Sequence, residues 1–225
     1  MKWLLAAAAA ATLASAAFGA SAATTVLTFE GVGDEASINN FYNGGTDSAG
    51  DSGVNYGISF TSDSLGIIED SAGGTGNFSN PPSGKTVAFF LSGAGDTMNV
   101  AAGFDTGFSF YYADQVGFTG NVSVFDGLGG TGSLLATLSL PSTPNPYTVF
   151  VPVGVTFAGT AKSVVFGGAA NYIAFDDITL GSATAGGGAP AGVPEPATWT
   201  MLLAGFGGIG ALMRRRRSLA RLATA

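Results

Sequence analysis

Glycine is spread through almost the whole chain, and this feature limits the possible folds more than any other. The 225 residues include 36 glycines and 9 prolines. Between residues 23 and 193, only 133–153 and 169–180 form glycine-free stretches of twelve residues or more, and the first of them contains four prolines. Glycine and proline both destabilise the interior of a helix. Helices of ordinary length are therefore excluded from the middle of the chain.

Strand patterns recur at short intervals in the same region. Residues 24–30 alternate, with Leu27 and Phe29 on one face. Residues 103–113 place four aromatic side chains on one face, those of Phe104, Phe108, Phe110 and Tyr112. The same alternation predicts further strands at 121–126, 133–140, 148–157, 162–166 and 172–180. Many short strands with glycine-rich connections predict an all-β fold, a single two-sheet sandwich of the jelly-roll type over residues 23–180.

Composition excludes several kinds of chemistry. The chain has neither Cys nor His, which excludes disulfides, thiolate nucleophiles and His-based metal centres. Between residues 23 and 193 there are 14 acidic residues against two lysines, so this region has a net charge of −12. A surface of that sign repels phosphate backbones, so we do not expect nucleic acid as a partner. Calcium, which prefers carboxylate oxygens, is the expected cofactor.

The first 22 residues have the pattern of a secretory signal peptide. Lys2 precedes an apolar run, and Ala20-Ser21-Ala22 has the small side chains that signal peptidase requires. A buried core helix is the alternative for a run of this length. We expect cleavage after Ala22 and export across the inner membrane.

Three features follow one another in the C-terminal part of the chain. After a Gly- and Ala-rich linker at 181–193 comes the tripeptide Pro194-Glu195-Pro196, then an uncharged run at 197–213. Four arginines end the series: Arg214, Arg215, Arg216 and Arg217. As a helix, the uncharged run would reach about 25 Å, close to the ~30 Å hydrocarbon core of a bilayer. The sequence thus predicts one transmembrane helix with a cytoplasmic tail at 218–225, which leaves the sandwich outside the inner membrane.

This tail resembles the PEP-CTERM protein-sorting signal of Gram-negative bacteria over residues 194–217. It is most similar to the variant in which Trp and Met follow the tripeptide, here Trp199 and Met201; Thr200 stands where Ala is commoner. The resemblance implies that an exosortase, a membrane-embedded transpeptidase-like enzyme, cuts the chain near the tripeptide. It also implies a place at the cell surface or in the extracellular matrix, in association with exopolysaccharide. A single-helix anchor that is never cut is the alternative.

In the last predicted strand, the positions that face inward change from odd to even at Asp176-Asp177. Apolar residues occupy odd positions up to Phe175 and even positions from Ile178 onwards. One extra residue at the two acids predicts a β-bulge. The first and last strands of a jelly roll often pair, which would bring Glu30 towards both aspartates.

This arrangement is similar to that of calcium-stabilised jelly-roll carbohydrate-binding modules. In those modules, a Phe-Glu pair near the start and an Asp-Asp pair near the end share a structural calcium; the matching residues here are Phe29, Glu30, Asp176 and Asp177. The resemblance implies that Glu30, Asp176 and Asp177 bind the ion. A solvated acidic bulge is the alternative.

Exposed aromatic rings are the surfaces against which sugars stack. The candidates are Phe41 and Tyr42, which lie in a predicted loop, and Tyr111, which faces away from the Phe stripe. Ordinary packing is the alternative for all three. The only tryptophans, Trp3 and Trp199, lie in the two terminal segments, so none is left to support sugar binding by the central region.

The whole pattern predicts an exported, exosortase-processed protein of the envelope or matrix. Its sandwich is expected to be non-catalytic and to bind polysaccharide. An inert structural matrix protein is the second possibility. The third is an acidic glycoside hydrolase or lyase, since such an enzyme needs only paired carboxylates.

Overall fold

The computed structural model describes residues 24–145 and 147–187, which form two antiparallel sheets packed face to face. The strands are β1 Thr25–Leu27, β2 Ile58–Phe60, β3 Ser64–Ile68, β4 Thr86–Phe90, β5 Gly95–Phe104, β6 Gly107–Asp114, β7 Gly120–Phe125, β8 Leu134–Leu140, β9 Val151–Thr156, β10 Ala161–Gly168 and β11 Ile173–Leu180. Two single-turn 3₁₀ helices occupy Asp70–Ala72 and Leu128–Gly130. The predicted all-β sandwich is confirmed.

The last strand occupies the centre of one sheet. The order there is β3-β4-β11-β6-β9, with β1 also beside β11, and the second sheet has the order β2-β5-β10-β7-β8. β1 pairs with the C-terminal half of β11, where Leu27 lies opposite Ile178, and β4 pairs with its N-terminal half, where Ala88 lies opposite Phe175. The predicted pairing of first and last strands is therefore confirmed. β1 and β4 share one edge of β11 and approach each other at the two aspartates.

Aromatic rings fill the space between the sheets. Phe110 of β6, Phe166 of β10 and Phe175 of β11 are buried and lie 5.0–5.9 Å apart between ring centroids, in edge-to-face geometry. Each such pair contributes about 0.5–1.5 kcal/mol beyond the burial of its area. Because the three rings come from both sheets, they hold the two layers together.

The strand predicted at 103–113 is in fact two strands in different sheets. β5 ends at Phe104 and β6 begins at Gly107, with Thr106 between them at φ +73°, in the left-handed region. The rings of Phe104 and Phe108 nevertheless both face the core and contact each other at 5.9 Å. The inward alternation continues across the turn, so the sequence pattern could not show that the chain changes sheets.

The strands β2, β3 and β4 lie where the alternation predicts none. β4 is buried on both faces at every position, so it has no polar face to alternate with. Its inner face joins the main core, and its outer face is covered by a small cluster that includes Phe78, Val87 and Ala174. β2 has only three residues, too few for a periodic pattern.

The beginning of the predicted linker is packed against the sandwich. Ser109 Oγ donates to the Ser182 carbonyl at 2.9 Å, and Gly186 N–H donates to Thr179 Oγ1 at 3.0 Å. Within the described residues, the packed part therefore continues past the predicted boundary at residue 180, to Gly186.

The predictions for the terminal segments concern a different part of the chain. The signal peptide at 1–22, the transmembrane helix at 197–213 and the cytoplasmic tail at 218–225 all lie outside the described residues. Within 24–145 and 147–187, no helix has the length and apolar character needed to cross a membrane.

Candidate functional site

The two adjacent aspartates form a β-bulge, as predicted. The register of β11 against β6 shifts between Asp176 and Thr179, and Asp177 has φ +48°. Asp176 is completely buried. Its carboxylate accepts hydrogen bonds from Ser83 N–H at 3.0 Å, from Ser83 Oγ at 3.1 Å and from Asp177 N–H at 2.7 Å. The bulge therefore turns one carboxylate inward, onto the chain that leads into β4.

Glu30 reaches the same stretch of chain from the end of β1. Its Oε1 accepts hydrogen bonds from Lys85 N–H at 2.8 Å and from Thr86 N–H at 2.7 Å. Glu30 and Asp176 thus both bind residues 83–86, the segment at which β4 begins. The structure brings these two predicted residues to one segment, which we call the acidic junction: Glu30, Asp176, Asp177 and residues 83–86.

Burial dominates the electrostatics of this junction. It raises the pKa of Asp176 to about 8; the Ser83 hydrogen bonds lower that pKa less strongly, and the Asp177 charge raises it further. Burial also raises the pKa of Asp177. In the described part of the chain, the one salt bridge joins Lys85 Nζ to Glu69 at 2.6 Å. No lysine or arginine of that part pairs with Asp176, so its carboxyl group keeps a proton at neutral pH unless a cation replaces it.

The junction offers few side-chain ligands for a metal. Among residues 24–145 and 147–187, no three acidic side chains gather into a group of the kind that holds an ion. The oxygens available near Asp176 are those of carboxylates, backbone carbonyls and one serine hydroxyl, which is the chemistry calcium prefers. A calcium ion here would need carbonyl or water oxygens to complete its six to eight ligands.

Two of the three predicted sugar-stacking residues are in the core. Phe41 is 2% exposed and Tyr42 is 5% exposed, and their rings contact each other at 4.9 Å. The Tyr42 hydroxyl accepts the Phe29 N–H at 2.8 Å, and burial raises the pKa of Tyr42. The expectation that these two rings lie open on a loop is wrong, because the loop folds back and buries them. Tyr111 is half-buried, and its role in binding stays a prediction.

Sequence reasoning missed a pocket on the outer face of the sheet that contains β11. The pocket encloses about 30 Å³. Its floor is apolar and comes from β3, β4 and β11, whereas its rim comes from three loops. The lining residues are Ile67, Asn77, Phe78, Phe89, Tyr147, Asn171, Ile173 and Ala174. The members are far apart in the chain, so no local motif could have revealed the pocket.

Backbone contacts hold the rim of this pocket in place. Ser79 N–H donates to the Tyr147 carbonyl at 2.9 Å, and the Tyr147 hydroxyl donates to the Asn171 carbonyl at 3.3 Å. Burial raises the pKa of Tyr147 to about 12, so its hydroxyl is neutral. Phe78 lies edge-on to Phe150 at 6.3 Å. Aromatic rings beside two asparagine side chains can pack against apolar faces of a ligand and hydrogen-bond its hydroxyl groups.

Two further carboxylates are buried away from the acidic junction. Asp114 Oδ1 accepts Thr143 N–H at 2.5 Å, and Thr143 Oγ1 donates to the Asp114 carbonyl at 3.1 Å, so this pair fixes the chain after β8. Asp114 Oδ2 has no hydrogen-bond partner among the described residues. Asp96 is also buried, beside the Ser64 hydroxyl. Burial raises the pKa of Asp96 to about 7, with a further increase from the Asp63 charge and a decrease from the neighbouring Ser64 hydroxyl.

Several solved structures resemble the sandwich at low identity. A family 6 carbohydrate-binding module, described in a dissection of its binding sub-sites, is 20% identical over 54% of this chain and 85% of that chain, with a TM-score of 0.36. A module of Cellvibrio mixtus lichenase 5A, solved with cellotriose, is 16% identical over 53% and 86% of the two chains, with a TM-score of 0.33. A glycoside hydrolase family 43 arabinoxylan arabinofuranohydrolase from Bacillus subtilis, solved with cellotetraose, is 16% identical over 52% of this chain but only 24% of its own, with a TM-score of 0.36.

The C-terminal segment gives the most specific comparison. No curated protein matches the chain. The family model of the PEP-CTERM protein-sorting motif matches residues 192–217. This range includes the Pro-Glu-Pro tripeptide, Trp199, Met201 and the four arginines. The sorting signal expected from the sequence is thereby confirmed: the chain carries a PEP-CTERM protein-sorting motif at its C-terminal side.

Proposed function

We propose that this protein is exported, processed by an exosortase and retained at the cell surface or in the extracellular matrix, where its sandwich binds polysaccharide without catalysis. The sorting motif at 192–217 supports the route. The binding role depends on one observation, the pocket in which aromatic rings and two asparagines surround an apolar floor. Signal peptidase and an exosortase are the partners that this route requires.

The pocket is suited to part of a sugar. Its volume of about 30 Å³ exceeds the roughly 10–15 Å³ that a cavity needs to hold one water molecule. It can therefore take a pendant group, while the rest of the polysaccharide lies across the half-buried ring of Tyr147; Phe78, which is buried, supports that ring from below. The Asn77 and Asn171 amides both donate and accept hydrogen bonds, which fits sugar hydroxyls. A shallow contact of this kind gives weak binding per site, which a repeated polymer can compensate by multivalency.

The lining of the pocket favours binding over hydrolysis. A glycosidase places two carboxyl groups about 5–10 Å apart across the scissile bond. None of the eight residues that line the pocket is acidic. Asp96 and Asp176, whose pKa values lie near neutrality, are both buried and do not line it. The hydrolase or lyase alternative has no support from this arrangement.

We also propose that the acidic junction binds a structural calcium through Glu30, Asp176 and Asp177. The support is the buried Asp176 carboxylate, which has no positively charged partner among the described residues. A calcium ion would replace the proton on Asp176 and supply that charge. It would also fix residues 83–86, where β4 begins.

A binding assay with the full chain in detergent tests the glycan proposal. We expect saturable binding to at least one polysaccharide in a panel of glucans, xylans and acidic exopolysaccharides. Tyr147→Ala and Asn171→Ala should each weaken that binding about tenfold, the equivalent of 1.4 kcal/mol. Tyr56→Ala is the matched control, because Tyr56 is 43% exposed and lies outside the pocket.

The other outcomes of this assay identify the competing functions. Binding to no member of the panel would favour an inert structural protein. If the two pocket variants bind as well as the Tyr56→Ala control, the ligand lies away from the pocket, and Tyr111 is the next candidate. Release of reducing sugar that stops after substitution of a carboxylate would favour an enzyme.

A further inference from the structure

Charged residues are missing from a long stretch of the chain that contains two strands. Residues 127–161 include no Asp, Glu, Lys or Arg, and they form β8 and β9. β8 is an outer strand of one sheet and β9 is an outer strand of the other, and the two approach each other on one side of the sandwich. The strands that form this side therefore carry no charge, although the sandwich as a whole is strongly acidic.

The other outer strands of the two sheets are protected against pairing with a further chain. On β2, the Ile58 N–H donates to the Tyr42 carbonyl at 3.1 Å, and on β3, the Gly66 N–H donates to the Ala36 carbonyl at 2.8 Å. Loops of the same chain thus cover these two edges. β9 contains Pro152, which has no N–H to donate. Covered edges and proline are devices by which natural sheets prevent edge-to-edge association.

β8 lacks protection of this kind. Its seven residues, Leu134–Leu140, include neither proline nor a charged side chain. Among the described residues, β7 is its one strand partner, and no loop forms a backbone hydrogen bond with its outer edge. The outer edge of such a strand presents a row of unpaired N–H and C=O groups. β8 is therefore ready to accept one more strand.

The exposed side chains of β8 are uncharged and suit a contact between proteins. Thr137 and Ser139 are exposed, whereas Leu138 between them faces the core. At the start of the strand, Leu134 is 57% exposed, and Leu128 in the preceding 3₁₀ helix is 48% exposed. Apolar surface beside an open edge is removed from water when a second strand pairs there, which favours the association.

We propose that β8 pairs antiparallel with β8 of a second copy of this chain, about a two-fold axis. The charge distribution favours this occupant. The segment 23–193 has a net charge of −12, so two copies repel each other in most orientations, whereas this side brings uncharged strands together. An antiparallel pair of identical strands is self-complementary, as a two-fold interface requires. The pairing joins the five-stranded sheets of the two copies into one continuous sheet.

Sedimentation velocity of the full chain in detergent, over the micromolar range, tests this pairing. We expect the wild type to form a concentration-dependent dimer. Thr137→Asp and Thr137→Lys should each weaken the dimer about tenfold, because like charges then face each other across the paired strands. Ser62→Asp is the matched control and should leave dimerisation unchanged, since Ser62 is exposed in the β2–β3 loop on the opposite side of the sandwich.

An equal mixture of Thr137→Asp and Thr137→Lys distinguishes pairing of β8 with itself from other contacts. Opposite charges then meet at the paired strands, so we expect the mixture to recover the dimer. Both substitutions fall on an exposed position, so the core stays intact, and circular dichroism verifies the fold of each variant. A wild type that stays monomeric, a dimer that both variants retain, or a mixture that does not recover would overturn the proposal. The experiment contains no glycan and no added calcium, so its outcome is independent of the earlier proposals.

Discussion

The protonation of Asp96 makes the stability of this fold depend on pH. Its pKa is about 7 in the folded chain, compared with about 3.9 in an unfolded one. Between these values the folded state holds a proton that the unfolded state has released. The free energy of unfolding therefore falls as pH rises from about 4 to 7, and the loss is complete above that window.

Urea denaturation in the presence of chelator tests this pH dependence. We expect Asp96→Asn to lose less stability than the wild type between pH 5 and pH 8, because it has no carboxyl group to ionise. Asp176 titrates in the same direction, with a pKa of about 8, and accounts for the slope that remains. Parallel curves for the wild type and Asp96→Asn would contradict the burial of a titrating Asp96.

The hydroxyl of Tyr42 has a structural role that a sugar-stacking residue would not have. It accepts the Phe29 N–H at 2.8 Å inside the core. Tyr42→Phe removes that acceptor and leaves the N–H buried and unpaired. We expect a loss of about 1–3 kcal/mol in the free energy of unfolding, measured by urea denaturation. The control Tyr56→Phe, at an exposed tyrosine, should have no comparable effect, and an equally small change in both variants would show that this hydrogen bond is dispensable.

At the level of elements, the bulge in β11 requires an unusual backbone at Asp177. Its φ of +48° lies in the left-handed region, which asparagine and aspartate tolerate better than β-branched residues do. We expect Asp177→Val to lower the free energy of unfolding by about 1–2 kcal/mol and Asp177→Asn to be tolerated. Chelator in the buffer keeps calcium out of the comparison. Equal denaturation midpoints for the two variants would mean that the bulge relaxes without strain.

The acidic junction connects β1, β4 and β11, so calcium should affect the melting of the sandwich. We expect chelator to lower the melting temperature of the wild type. Glu30→Ala and Asp177→Ala should each lower it as well and should remove most of the chelator effect. Thermal denaturation followed by circular dichroism measures both quantities. Identical melting curves of the wild type with and without chelator would contradict the calcium proposal for this junction.

For the whole molecule, the sorting motif predicts where the mature chain ends. Gly186 donates a hydrogen bond to Thr179 of β11, and the eight residues from there to Pro194 span at most about 29 Å when fully extended. If residues 197–213 span the membrane, as the sequence predicts, this length keeps the sandwich close to the bilayer before cleavage. We expect the intact mass of the cell-surface form to correspond to an end near Pro194–Pro196. If the surface form retains the arginine cluster, the chain is not cut, and the alternative of a single-helix anchor holds.

The sequence by itself determined the class of fold and the position of the bulge. Frequent Gly and Pro exclude helices wherever they occur, and alternation reports which side chains face inward. Both properties are local. The parity change at Asp176-Asp177 is local as well, since it compares residues of a single strand. The sorting motif is a contiguous stretch, so no folding is needed to recognise it.

Only the tertiary structure decided which surfaces stay open and which polar side chains are buried together. Phe41 and Tyr42 occupy a loop by pattern but lie in the core. The pocket joins residues as distant as Ile67 and Ala174, and the pair Ser64 and Asp96 comes from different sheets. A sequence period gives the direction of a side chain relative to its own strand. Whether another segment covers that side chain depends on contacts between strands that are far apart in the chain.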